Sequence, residues 1–148
     1  MTLKRISGKF KIKSKADFMK VARTLPIKLA VNTEKHFRRG FEQGGGQTDA
    51  SKGGWAARKR SEKGGRRGIL IKSGALRRDV KQRMAIFSRI EISTSNITID
   101  YADVHNSGLR SGRGKGFTMP KREFIGKSTE LEKQNARIIS DELRHLLI

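Results

Sequence analysis

Three histidines, fourteen acidic residues and no cysteine are the groups with which this chain of 148 residues could do chemistry. His36, His105 and His145 lie far apart and lack the short spacing of a metal-binding pair. Asp100, Asp103 and His105 are close enough in sequence to suggest an oxygen–nitrogen metal site. At the end of a strand, turn chemistry and solvated charge are the expected reading instead. No GxSxG nucleophile elbow occurs, and no GxxxxGK[ST] phosphate loop. Gly112-Arg113-Gly114-Lys115-Gly116 is glycine-rich and basic, but lacks the strand before and helix after that a phosphate cradle uses. The carboxylates are scattered, which disfavours a metal-dependent enzyme acting on nucleic acid. Without cysteine there are no disulfides or thiolate sites, and the redox compartment stays open. No catalytic residue, metal site or cofactor is expected.

Binding is better represented. Lys and Arg number 34 against 14 Asp and Glu, a net charge of +20. That field attracts nucleic acid, anionic membrane or acidic protein without choosing among them. Two glycine-rich stretches, 44–68 and 106–118, are expected to be flexible basic loops. The first carries Lys52, Arg58, Lys59, Arg60, Lys63, Arg66 and Arg67, and the second Arg110, Arg113 and Lys115. Such loops contact phosphates without reading sequence. Trp55 and Phe117 are their only aromatics, so no base-stacking platform is written here. On composition alone, a solvated basic face and a polyanion-binding face are equally open. Trp55 is expected to anchor its loop, because lone exposed tryptophans are uncommon. No apolar run approaches a membrane span and residues 1–15 lack a signal-peptide core, so a soluble protein is expected.

The elements that must hold these groups follow from periodicity. An apolar fraction of 34% beside a charged fraction of 32% points to one domain, 1–148, with a small core. Residues 1–13 read as a disordered basic arm or a short edge strand. A helix capped by Ser14 ends near Thr24, and Pro26 opens a second. There Ile27, Ala30, Val31, Phe37 and Phe41 form a stripe, with Glu34 as a blemish. Gly44-Gly45-Gly46 ends it. After a turn at 72–76, a strand is expected from Arg77, with Val80, Gln82 and Met84 on one face. Ile86, Ile90 and Ile92 continue the alternation, and Ile97 to Tyr101 return. This is an antiparallel meander with one dry face. Thr129 and Glu132 form a capping box before a C-terminal helix with Leu131, Ile138, Ile139, Leu143, Leu146 and Leu147 on its apolar side. The fold class is α+β: a small sheet packed on one face by N-terminal helices and a long C-terminal helix.

The landmarks, in order, carry a resemblance. They are His36-Phe37 and Phe41, then Trp55, then Ser73-Gly74, Leu76 and Arg77. Tyr101-Ala102, His105 and Gly108 come next, then Pro120, Arg122 and Phe124-Ile125-Gly126. Over residues 14–147 the chain resembles the phage virion morphogenesis family, the tail-completion or head–tail connector proteins of Mu-like phages and prophages. It departs at Asn106, where the family usually has glutamine, and in its more basic loops. The resemblance implies a non-catalytic assembly protein without cofactor, working in oligomeric rings where head meets tail. Its partners would be other junction or tail proteins and not a membrane. It would be assembled in the host cytoplasm and end in the virion. It also gives structural or interaction roles to Trp55, Ser73, Gly74, Leu76, Arg77, Tyr101, His105, Gly108, Pro120, Arg122, Phe124 and Gly126. Tyr101 would lay its ring on the core, and Gly108 would turn the chain at positive φ. Pro120 would fix the chain's return, and Arg122 would meet an acid or a carbonyl. The basic loops would face DNA or an acidic neighbour. The competing expectation is a basic nucleic-acid-binding protein of the ribosome- or nucleoid-associated kind.

Overall fold

The computed structural model describes residues 13–57, 68–71, 73–95 and 101–146. The expected arm at 1–13, except Lys13, lies outside the described residues. So do Arg58, Lys59, Arg60, Lys63, Arg66 and Arg67 of the first loop, and the return strand except Tyr101.

The N-terminal region is one helix, α1 (Lys15–Gln43), rather than two. Ser14 caps it, its Oγ accepting from the Asp17 amide at 3.1 Å, and Gly44 closes it at φ 74°. Pro26 sits inside α1 and is buried with Leu25 and Ala30. A mid-helix proline costs about 3 kcal/mol locally. Burial of the flanking turns offsets that cost, and the helix continues.

Two layers rest on α1. The first is a hairpin of β1 (Lys81–Ile86) and β2 (Arg89–Ser93), paired antiparallel from Lys81 opposite Ser93 to Ile86 opposite Arg89. Glu34, the blemish in the apolar stripe, makes the joint: its Oε2 accepts from the Gln82 amide at 2.9 Å, and its Oε1 meets Arg38 at 2.8 Å. Arg38 in turn donates to the carbonyls of Val80 and Arg78 at 2.9 and 3.1 Å. The second layer is α4 (Thr129–Arg144), joined to α1 by Asn32–Asn135 at 2.9 Å and a Lys28–Glu142 ion pair. The architecture is thus α+β, with a long C-terminal helix and a small antiparallel sheet.

Two details differ from the periodicity. The chain at Arg77 is helical: α2 (Ala75–Asp79) opens at Gly74, φ 73°, and buries Leu76 and Asp79 before Val80. A helix this short gives no repeat to read. The hairpin register then slips between Gln82 and Met84, a bulge that swaps the faces of the residues beyond it. Met84 and Ile86 therefore emerge into solvent, and Phe87 at the tip is 70% exposed.

The core joins Phe37 and Phe41 of α1 to Trp55, Leu76, Val80, Ala102, Phe124 and Leu131. The loop expected at 106–118 takes in the end of α3 (Ala102–Ser107) and a short ribbon of β3 (Arg110–Ser111) with β4 (Phe117–Thr118).

A candidate interaction pocket built from three segments

The chain returns to the core through residues 119–129, and polar side chains fasten it there. Trp55 is buried edge-on against Phe41, ring centroids 5.4 Å apart, and its Nε1 donates to the Glu123 carbonyl at 3.0 Å. A Cβ at Gly45 would lie 2.8 Å from that indole, so the triple glycine both ends α1 and clears room for the ring. Arg122 is buried and donates to the carbonyls of Ala56 and Ala57 at 3.0 and 3.3 Å. Asn106 is the third fastener. Its Oδ1 accepts from the amides of Phe124 and Ile125 at 2.9 and 3.0 Å, and its Nδ2 donates to the Ile125 carbonyl. One side chain thereby satisfies three backbone groups of a segment with no ladder of its own.

Gly108 ends α3 at φ 71°, and a Cβ there would lie 2.9 Å from the Lys121 Cβ. Phe124 fills the core, Pro120 is half-buried, and Gly126 packs where any Cβ would strike Glu123. Tyr101 does not lay its ring on the core. It precedes the first turn of α3, where the helical rotation points Ala102 inward and leaves the tyrosine 44% exposed.

Three segments converge on a half-open pocket of about 310 Å³. Ser73, Gly74 and Leu76 come from the α2 turn, His105 from α3 and Tyr101 from the residue just before it, and Arg122 from the returning segment; Ile69, Leu70 and Ala75 complete the wall. The His105 ring stands edge-on to Tyr101 at 5.7 Å, and its Nδ1 has no hydrogen-bond partner among the described residues. Burial, and then the charge of Arg122, hold His105 below the ordinary histidine pKa. It is therefore neutral near pH 7. Arg77 lies outside this pocket, paired with Glu42.

The basic residues of the loops behave differently. Lys52 pairs with Asp49 at 3.5 Å. Arg110 donates to the Lys115 carbonyl across the ribbon, and Arg113 and Lys115 are exposed.

Sequence reasoning missed several fasteners. Asp49 accepts from Thr129, through its hydroxyl at 2.8 Å and its amide at 3.1 Å, and these bonds lower the Asp49 pKa. Ser128, not Thr129, caps α4. Buried His36 joins the Gln47 carbonyl at 2.8 Å and the Ser128 hydroxyl at 3.0 Å. These contacts span up to 92 positions, and no spacing rule announces them.

Among the described residues no cluster of three or more His, Asp or Glu could hold a metal, and no helix is long and apolar enough to cross a membrane. A family model described as the phage virion morphogenesis family matches residues 2–144. No curated protein and no solved structure matches the chain.

Proposed function

The chain belongs to the phage virion morphogenesis family, and from that premise we propose that it completes tails or joins heads to tails as a non-catalytic ring subunit. The observation that carries this reading is the use made of the motif residues. Trp55 and Arg122 grip backbone carbonyls, and Phe124 fills the core. Ser73, Gly74, Tyr101 and His105 shape a shallow, largely apolar concavity on the surface of that frame. This is a way of building a docking surface, since the rigid elements beneath it fix its shape before a partner arrives.

The partners are other junction or tail proteins, and further copies of the chain complete the ring. The exposed cations Arg113 and Lys115, together with the rest of the +20 charge, give loose contact with DNA passing the junction.

Negative-stain imaging of particles made without this protein tests the reading. Heads and tails accumulating separately, and joining when the protein is restored, is the expected result. Complete particles in its absence would overturn it. A ribosome- or nucleoid-type binder predicts instead tight DNA or RNA binding by the isolated chain, with a steep salt dependence.

A further inference from the structure

The turn at Gly74 separates two depressions and lines both. On one side lies the 310 Å³ pocket, walled by Ile69, Leu70, Ala75 and Leu76. On the other lies a depression of about 350 Å³ formed by Ile71 with Arg38, Arg77 and Arg78. The first offers apolar surface, and the second offers guanidinium groups. No carboxylate lines either one among the described residues.

The three arginines are not equivalent. Arg38 is committed to Glu34 and to the carbonyls of Arg78 and Val80. Arg77 pairs with Glu42, whose side chain is itself half exposed. Such surface pairs are weak and exchange readily for another carboxylate. Arg78 is exposed, and its Nη1 donates to the Ser73 carbonyl at 3.0 Å. That bond holds the arginine against the turn that borders the pocket, leaving the rest of its guanidinium on the rim.

From this juxtaposition we infer that the paired depressions receive an extended acidic segment of an assembly partner, one bulky apolar side chain entering the pocket and neighbouring carboxylates resting on Arg77 and Arg78. The inference rests on the assembly reading and adds the chemistry of the partner. Charge selects the occupant. The basic surface of a second copy is repelled by Arg38, Arg77 and Arg78, so the contacts between ring neighbours fall elsewhere on the chain. A DNA duplex would suit the arginines but has no protruding apolar group to fill the pocket. An acidic segment with a single large apolar residue satisfies both halves at once, and the volume is at the small end for ligand sites, suited to one side chain.

The test uses the full chain, 15N-labelled, titrated with the capped peptide acetyl-Asp-Glu-Phe-Asp-Glu-amide. A control peptide carries Gly in place of Phe. The expected result is a set of shifts centred on the amides of Ile69, Gly74, Leu76, Tyr101 and His105, with the glycine peptide binding roughly tenfold more weakly or worse. Ser73→Trp, an exposed substitution at the mouth, and Arg78→Glu, on the rim, should each abolish those shifts while leaving the rest of the spectrum in place. Either variant suffices if the other fails to fold. Shifts spread evenly over the lysine and arginine surface, equal for both peptides and unaltered by the substitutions, overturn the inference. So does a short DNA duplex that displaces the peptide from the same amides. Complementation separates this inference from the reading beneath it. If Ser73→Trp protein fully restores joined particles, the docking site is wrong and the assembly role stands. If joined particles form with no protein at all, the assembly role itself is wrong.

Discussion

The returning segment 119–129 and the hairpin 81–93 begin with similar materials and end in opposite states. Each carries large apolar residues among basic ones. In the returning segment Phe124 is 2% exposed, and Trp55, Arg122 and Asn106 hold the surrounding backbone. In the hairpin Ile86 is half exposed and Phe87 stands almost free at the tip. The difference lies in what reaches back. Side chains from distant positions close over the returning segment, whereas the hairpin is held at its root by Glu34 and Arg38 and left open at its end. One region is complete within a single chain. The other is built on that frame, packs Ile92 of β2 against the core and leaves its tip in solvent.

Substitutions can break or sharpen that contrast. The largest effect is expected for Trp55→Ala, which empties a core position and frees the Glu123 carbonyl. It should lower the free energy of unfolding by about 3–5 kcal/mol in urea titrations. A loss under about 1 kcal/mol would mean that the returning segment is not secured as described. Asn106→Ala comes next. It leaves two amides and a carbonyl without partners, so a loss of about 2–4 kcal/mol is expected, read as a fall in the denaturation midpoint at unchanged slope.

His105 contributes a smaller, pH-dependent effect. Its folded pKa lies below the ordinary 6.5, so the unfolded chain binds the proton more readily than the native one. Stability from this group is constant above pH 6.5 and declines as pH falls below it toward the lowered folded value. His105→Gln should flatten the urea midpoint over that range, while an unchanged profile would separate His105 from the effect. The smallest change belongs to the hairpin tip. Phe87→Ser should leave the free energy of unfolding within about 0.5 kcal/mol of the parent. A loss comparable to that of Trp55→Ala would erase the contrast.

The same contrast explains which features the sequence made legible. Ala30, Phe37 and Phe41 of the α1 stripe and the anchoring of Trp55 are legible because burial of apolar groups follows helical period and residue size, whereas Ile27 and Val31 of the same stripe are exposed. Pro26 misled because local propensity argues for a break, whereas packing of the turns on either side decides the matter. The strand expected at Arg77 hid a five-residue helix, less than two turns and too short for a periodic signal. One bulge after Gln82 was enough to reverse the expected dry face. The polar joints were the least legible. Glu34 meets Gln82 across 48 positions, and Asn106 reaches Phe124 across 18. Each depends on a fold already formed. The motif residues suggested a family, but only the fold brings Ser73, Tyr101, His105 and Arg122 to one pocket.

Quantitative mass spectrometry of gradient-purified virions tests the central claim most directly. An assembly protein of this family that stays at the junction should be found in finished particles at a fixed, small number of copies per portal. Finished, infectious particles that contain none of it, with the protein recovered instead on ribosomes or on the nucleoid, would contradict the account.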